Sequence, residues 1–296
     1  MHTSVLLHES IDNLALKDGD VVVDGTVGAG GHASEICKRA KVHLFAFDMD
    51  TDALKRSEVR IKETGCEPTM IEGNFSDIKA HLAKRGVTQV EKILLDLGLS
   101  SYQLGESGRG FSFKYDEPLL MTMKKNPNEE DVTAYDIVNT WSETTLADII
   151  YGFGEERYAR RIAKAIVEAR EHHPIERTGE LVDIITNAVP KAYARGKIHP
   201  ATRTFQAIRI AVNRELELLP QALADMTDML APGGRLAVIT FHSLEDRIVK
   251  TTFMQESKNG RVIKITKKPI VPSFEETKEN PRSRSAKLRV VEKVLL

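Results

Sequence analysis

The 296-residue sequence has only two cysteines, Cys37 and Cys66, no long apolar run and no excess of either charge. Two cysteines are too few for a disulfide framework or a structural zinc site, and they fit a reducing cytoplasm. No stretch approaches the roughly 18 apolar residues of a membrane span, and the N-terminus lacks the features of a signal peptide. The 42 Lys and Arg residues balance 43 Asp and Glu residues, which argues against a general polyanion binder but allows a local basic face. We therefore expect a cytoplasmic protein without a membrane segment.

The first hundred residues alternate strand patterns with helical segments of about ten residues. The predicted strands span 21–24, 43–48, 69–72 and 92–96. This alternation predicts right-handed βαβ units and a parallel sheet. Further strand patterns lie at the end of 230–240, at 262–266 and at 288–296.

The pattern between about residues 106 and 204 is mostly helical. We therefore assign 1–105 and 205–296 to one α/β domain and 106–204 to an inserted helical domain. Near the return to the α/β pattern, Pro220 is expected to separate two helices. Further on, Ser243 with Asp246 three residues later fits a capping box at a helix start.

A glycine-rich segment, Asp24-Gly-Thr-Val-Gly-Ala-Gly-Gly-His32, joins the first predicted strand to a helix. Glycines let the backbone turn tightly and approach a ligand, and the amino end of a helix favours negative charge. Read as Gly28-x-Gly30-x-x-Ala33, the segment fits the dinucleotide fingerprint, which other nucleoside-binding proteins also use. A tight turn without a ligand is the alternative interpretation.

Two acids end later strands of the same pattern. Asp48, 20 residues after Gly28, suits the ribose hydroxyls that NAD and S-adenosylmethionine share, and Asp96 could bind an adenine amino group or a substrate amine. The Pro232-Gly-Gly turn and the C-terminal strand resemble the layout of S-adenosylmethionine-dependent methyltransferases. An NAD oxidoreductase is the alternative, but no residue can be assigned to its hydride chemistry. We expect no metal site, because the acids after Asp48 lack the glycine and the terminal glutamate of a calcium loop.

Several segments together resemble the bacterial small-subunit ribosomal RNA cytosine-N4 methyltransferase family over almost the whole chain. They are His2-Thr-Ser-Val-Leu-Leu7, the glycine-rich segment, Leu94-Leu-Asp-Leu-Gly-Leu-Ser-Ser101, Arg109-Gly-Phe-Ser-Phe113, Tyr151-Gly-Phe-Gly-Glu-Glu-Arg-Tyr-Ala159, His199-Pro-Ala-Thr-Arg-Thr-Phe-Gln-Ala207, Phe241-His-Ser-Leu-Glu-Asp-Arg-Ile-Val-Lys250 and Asn280-Pro-Arg-Ser-Arg-Ser285. Their joint order is specific. The resemblance implies a Rossmann-like seven-stranded methyltransferase sheet and methylation of N4 of one cytidine in 16S ribosomal RNA.

The resemblance also implies S-adenosylmethionine as the cofactor. Its contacts are carried over onto Gly30, Gly31, His32, Asp48, Phe75, Asp96 and Gln103. Phe75 offers a ring against adenine, or it is a core aromatic residue. Asp96 is the candidate catalytic residue that faces the target amine, with His242 as a possible proton acceptor. The alternative for His242 is that it only orients the helix cap at Ser243.

One segment departs from the family pattern. Where the family typically has Pro-Leu-Asp-Met-Arg-Met-Asp, this chain has Pro118-Leu-Leu-Met-Thr-Met-Lys124. If this loop closes over the target base, the changed charges affect the rate or the substrate. A non-catalytic ribosome-binding or assembly factor that retains cofactor binding is therefore the alternative function, and compensated drift is the alternative explanation of the loop.

Local positive charge favours an RNA partner. Six basic residues and no acidic residue lie between Lys191 and Arg214, and residues 258–296 are also rich in Lys and Arg. The predicted RNA-binding residues are Arg195, Lys197, Arg203, Arg209, Arg282 and Arg284. The expected partner is the small-subunit RNA within the 30S particle, and the protein is expected to be a monomer or a homodimer.

Overall fold

The computed structural model describes residues 4–105 and 107–295. The strands within these ranges form one seven-stranded sheet. The strands are β1 (Val21–Asp24), β2 (His43–Asp48), β3 (Thr69–Glu72), β4 (Val90–Asp96), β5 (Leu230–Thr240), β6 (Val262–Lys264) and β7 (Lys287–Lys293). Their order is β3-β2-β1-β4-β5-β7-β6. The first five strands pair in parallel, and β7 is antiparallel to both of its neighbours. The predicted α/β fold with a seven-stranded sheet is confirmed.

Helices flank this sheet and build the inserted region. They are α1 (Leu7–Leu14), α2 (Gly31–Arg39), α3 (Thr51–Lys62), α4 (Ile78–Ala83), α5 (Ser101–Gly105), α6 (Ala134–Thr140), α7 (Glu143–Gly152), α8 (Ala159–Arg170), α9 (Thr178–Ala188), α10 (Lys191–Ala194), α11 (Ala201–Asn213), α12 (Glu215–Met229), α13 (Ser243–Lys258) and α14 (Phe274–Glu279). Within the described ranges, none of these helices is long and apolar enough to cross a membrane.

Alternating side chains of the central strands form two hydrophobic layers. Val23 and Leu95 face one layer, which also contains residues of α4, α12 and α13. Val22 and Leu94 face the other, which contains residues of α1, α2 and α3. Because consecutive strand residues point to opposite faces, the apolar runs in β1 and β4 cover both sides of the sheet.

The chain divides into two compact units, Met1–Gly98 with Leu216–Leu296, and Leu99–Glu215. The sequence pattern set the limits of the insertion at 106 and 204 instead. The inserted unit is wider because Leu99, Leu104 and Ala211 pack against its own hydrophobic core. Helical periodicity alone does not show which core such flanking residues join.

Two local expectations are wrong. Pro220 does not separate two helices, because it lies inside α12. The helices α11 and α12 are instead separated at Arg214, which has a left-handed backbone with a φ of 51°. The Pro232-Gly-Gly segment is not a turn before β5 but an irregular part of that strand, where the pairing with β4 shifts register. Pro220 is the sixth residue of α12, so it removes one intrahelical N–H bond without ending the helix.

The two cysteines form one disulfide, which their number and the expected reducing compartment did not indicate. Cys37 lies in α2 and Cys66 precedes β3, with 5.9 Å between their Cα atoms and a sequence separation of 29. The bond therefore links the helix that follows the glycine-rich segment to the chain that leads into an outer strand of the sheet.

Candidate cofactor and active site

Four neighbouring strands of the sheet each end in an acidic residue. Glu72, Asp48, Asp24 and Asp96 are the last residues of β3, β2, β1 and β4, which are neighbours in that order. Carboxyl ends of parallel strands share one edge, and ligands of open α/β sheets bind there. The four acids therefore mark the edge at which the glycine-rich segment also begins.

The glycine-rich segment is a close-packed turn that other residues would not fit. Gly30 precedes α2 with a φ of 75°, and a Cβ at this position would lie 3.0 Å from the Cβ of Ser57 on α3. A Cβ on Gly31 would come within 1.9 Å of the Ser4 hydroxyl oxygen. Arg60 closes the turn from outside by donating to the carbonyl oxygen of Ala29 at 3.1 Å. Ser57 and Ser4 thus fill the space beside Gly30 and Gly31, and the turn leads into the amino end of α2, which favours an anionic group.

Asp48 ties the glycine-rich turn to β2. One of its carboxylate oxygens accepts a hydrogen bond from the Gly28 N–H at 2.9 Å, and the other accepts one from the Asp50 N–H at 2.9 Å. The residue is half-buried, and it ends β2 at the position where the acid of nucleoside-binding sheets contacts a ribose. Asp48 therefore holds the turn, and its contact with a ribose stays a prediction.

Asp24 is a buried acid in this edge that the sequence analysis did not single out as a site residue. Its side chain accepts a hydrogen bond from the Thr26 N–H at 3.1 Å. Burial, together with the charge of Asp48, raises the pKa of Asp24 to about 7, despite the opposing effect of that hydrogen bond. The signal that could have identified it is an acid at a strand end directly before the glycine-rich turn.

Asp96 and His32 face each other beside the turn. The Nδ1 atom of His32 lies 3.6 Å from Oδ2 of Asp96, and Nε2 of His32 lies 3.1 Å from the Val5 carbonyl oxygen. Burial raises the pKa of Asp96 well above its ordinary value, and the charges of Asp24 and Glu245 add to this. Burial also lowers the pKa of His32 to about 4, so its ring is neutral at neutral pH.

Phe75 and Gln103 have clear structural roles. Phe75 begins a short 3-10 helix, Phe75–Asp77, and its half-buried ring packs against the hydrophobic layer of α4. Gln103 lies on α5 in the inserted unit, where its side-chain oxygen accepts a hydrogen bond from the Ser100 N–H at 2.8 Å. The remaining predicted cofactor residues all belong to the other unit.

His242 is the N-cap of α13, in place of the predicted Ser243 cap. The N–H of Glu245 points at Nδ1 of His242 at 3.5 Å, and a Glu245 carboxylate oxygen lies 3.1 Å from Nε2. The box therefore pairs His242 with Glu245, one residue earlier than the predicted pair of Ser243 and Asp246. Asp246 instead accepts from Lys287 and Arg289 of β7 at 2.9 and 2.7 Å. A ring whose acceptor nitrogen faces a backbone N–H is poorly suited to take a proton from a substrate.

The sequence model of the MraW methylase family matches residues 1–294. The chain belongs to this family. It is 46% identical to the ribosomal RNA small subunit methyltransferases H of Clostridioides difficile, Finegoldia magna and Ruminiclostridium cellulolyticum, with 99% of this chain and 99% of each relative covered. The MraW methylase assignment confirms the resemblance found in the motifs, the methyltransferase activity and the use of S-adenosylmethionine. The NAD oxidoreductase alternative is wrong.

In this MraW methylase, the loop that departs from the family pattern is held through its backbone. Arg109, which is buried, donates to the carbonyl oxygens of Thr122 and Met123 at 3.2 and 2.8 Å. Asn213 accepts from the Met123 N–H and donates to the Met121 carbonyl oxygen, both at 2.8 Å. Neither anchor depends on the side chains that differ from the family. The loop can therefore keep its path although its charges have changed.

Lys124 and Thr122, two of the changed side chains, are accommodated within the inserted unit. Lys124 forms an ion pair with Asp131 at 2.5 Å, and Thr122 is buried. The new positive charge thus has a neighbouring acid, which is the compensation that drift in this loop requires.

The predicted RNA-binding residues differ in exposure. Arg195 and Lys197 are exposed, and Arg203 donates to the Glu155 carbonyl oxygen at 3.3 Å. In the other unit, Arg282 and Arg284 are exposed on the 3-10 helix Pro281–Ser285. Arg209 forms a bidentate ion pair with Glu215 at 2.9 and 2.8 Å, and its side chain is only 14% exposed. This pairing argues against a phosphate contact by Arg209.

Proposed function

We propose that this methyltransferase methylates N4 of a specific cytidine in small-subunit ribosomal RNA, in the context of the 30S particle. The relatives carry this RNA in their names, and the motifs resemble the cytosine-N4 family. Ribosomal RNA is a cytoplasmic substrate in bacteria, so we infer a cytoplasmic protein.

The observation that carries the proposal is that the glycine-rich turn after β1 and Asp96 at the end of β4 lie at the same edge of the sheet. The glycine-rich turn leads into the amino end of α2, which favours an anionic group such as the cofactor's carboxylate, and Asp48 at the end of β2 is assigned to its ribose. When bound, S-adenosylmethionine supplies a methyl group on a sulfonium that is already electrophilic. The chain's own residues then need to bind, orient and desolvate the target base.

Asp96 supplies the contact to the target amine in this proposal. N4 of cytosine is a poor nucleophile because its lone pair is conjugated with the ring, and an acceptor on its hydrogen favours the rehybridised amine. Oδ1 of Asp96 is buried and has no hydrogen-bond partner among residues 4–105 and 107–295. A buried acceptor without a partner is destabilising unless a ligand completes it. Positioning the amine in line with the methyl group contributes several kcal/mol to catalysis.

RNA affinity in this proposal comes from exposed cations on each unit. Arg195 and Lys197 on the inserted unit, with Arg282 and Arg284 on the sheet unit, are suited to phosphate contacts. Arg209 is not part of this set, because Glu215 occupies its guanidinium. A target base in a structured RNA must leave its stack before it can reach a pocket at the sheet edge.

Methyl transfer to 30S subunits from a strain that lacks this protein tests the proposal. We expect labelled methyl from S-adenosylmethionine to appear as N4-methylcytidine by nucleoside mass spectrometry, and not on subunits from the parent strain. Gly30→Ala is the variant expected to weaken cofactor binding, and it should give much less label at a cofactor concentration near the wild-type Kd. Cofactor binding with no turnover on any subunit preparation would favour the non-catalytic assembly factor, which only the altered 118–124 loop supports.

A further inference from the structure

His32 has one bare ring nitrogen, and the structure identifies which one. The residue lies in the first turn of α2 and is 4% exposed. Its Nε2 lies 3.1 Å from the Val5 carbonyl oxygen, and since a carbonyl only accepts, Nε2 carries the ring hydrogen. Burial lowers the pKa of His32 to about 4, so the ring is neutral and Nδ1 is a bare acceptor.

This bare nitrogen faces a carboxyl oxygen of Asp96. The separation between Nδ1 and Oδ2 is 3.6 Å, just beyond hydrogen-bond distance. Two acceptors repel at this distance unless one of them carries a proton, and His32 cannot provide it. The other groups that face Asp96 are Asp24 at the end of β1 and Glu245 on α13, and both of their charges, with burial, raise the pKa of Asp96. All these neighbours favour the protonated carboxyl.

We propose that His32 is a positioning residue that holds a proton on Oδ2 of Asp96 and so leaves Oδ1 as the acceptor for the target amine. The inference rests on the proposed function, which supplies the amine. It assigns Asp96 the role of a neutral acceptor and not of a base, because its proton site is already filled. The proton that N4 loses after methylation passes to solvent water.

An asparagine at position 96 reproduces the proposed state. Its amide N–H₂ can donate to Nδ1 of His32, which turns its carbonyl oxygen to the position of Oδ1. We therefore expect Asp96→Asn to lose no more than about tenfold in single-turnover rate, whereas Asp96→Ala, which has no acceptor, loses about a hundredfold or more. If Asp96 were the base, both variants would lose about 10²–10⁴-fold.

The dependence of the single-turnover rate on pH is an independent test, because the rate falls with rising pH if Asp96 is a neutral acceptor and rises if Asp96 is a base. Ionised Asp96 is repelled by the bare Nδ1 and loses its fixed orientation, so the wild-type single-turnover rate should fall as the carboxyl ionises at rising pH. Asp96→Asn should lack this fall. A wild-type rate that rises with pH, together with a hundredfold loss in Asp96→Asn, would overturn the inference.

Variants of His32 test the positioning role directly. His32→Gln keeps an acceptor oxygen that Oδ2–H can reach, and His32→Leu does not. With cofactor Kd measured for each to exclude loss of the turn, we expect His32→Leu to lower the rate about tenfold more than His32→Gln. Equal rates for the two variants at unchanged cofactor Kd would contradict the inference. A wild-type enzyme that forms no N4-methylcytidine would contradict the proposed function instead.

Discussion

Asp24 predicts how the stability of the sheet unit depends on pH. Its side chain is 1% exposed at the end of β1, and burial raises its pKa from the ordinary 3.8 to about 7. The native carboxyl therefore keeps its proton in a pH range where the unfolded carboxyl has lost it. Since the folded state binds more protons there, the contribution of Asp24 to stability is fully present below pH 3.8 and is lost as pH rises to about 7.

The size of the effect follows from this difference in pKa. Each pH unit over which only the native carboxyl is protonated changes the free energy of unfolding by about 1.4 kcal/mol. Between about pH 5 and about pH 8, Asp24 should lower that free energy by about 3 kcal/mol, or about 5–10 °C in Tm. Asp24→Asn removes the ionisation and keeps an oxygen for the Thr26 N–H. The variant should therefore gain Tm relative to the wild type as pH rises.

The assay is Tm against pH for the wild type, Asp24→Asn and a control variant. Glu67→Gln is a suitable control, because it removes a carboxylate whose side chain is 82% exposed. The difference between wild type and Asp24→Asn should grow with pH, whereas the difference between wild type and Glu67→Gln should not. Parallel curves for the wild type and Asp24→Asn would show that Asp24 is ionised in the native protein across this range.

Three further predictions follow from single contacts. Gly30→Ala should weaken cofactor binding by more than tenfold in calorimetry, whereas Gly86→Ala should not, because both have a φ near 75° but only Gly30 has a neighbour within 4 Å. Arg195→Ala should lower the slope of log K against log salt concentration for RNA binding by about one unit. Arg209→Ala should leave that slope unchanged and should lower Tm, because it leaves Glu215 unpaired. Equal slopes for the two variants would refute this distinction. Cys37→Ser should lower Tm by about 5 °C or more in oxidising buffer and by little in reducing buffer, because the wild type keeps the Cys37–Cys66 disulfide only in oxidising buffer. Equal losses of Tm in both buffers would contradict a disulfide.

The sequence predicted the features that depend on local backbone. The strand positions of β1 to β4 follow from apolar runs that end in an acid, and the turn at Gly30 follows from glycine spacing. These signals are local because each strand or turn is specified by the residues it contains. The sheet edge and its acids can therefore be located from the amino-acid sequence alone.

Roles that depend on a partner distant in sequence could not be predicted in this way. His32 contacts the carbonyl of Val5, 27 residues away, and this contact sets its tautomer and so its relation to Asp96. No spacing rule gives such a pairing. The helix cap at His242 was missed for another reason, since an imidazole is not among the usual N-cap side chains and the Ser243 pattern offered a conventional choice.

Arg209 was predicted as an RNA contact because the segment 191–214 has six basic residues and no acid. In the single helix expected before Pro220, residues 209 and 215 would lie about 120° apart around the axis, so Arg209 would project away from Glu215. The chain instead breaks at Arg214 with a φ of 51°, and the turn brings Glu215 back to the guanidinium of Arg209. A charge count over 191–214 could not show this pairing, because Glu215 lies one residue beyond the counted segment. The count therefore overstates the number of cations in this segment that are open to a phosphate contact.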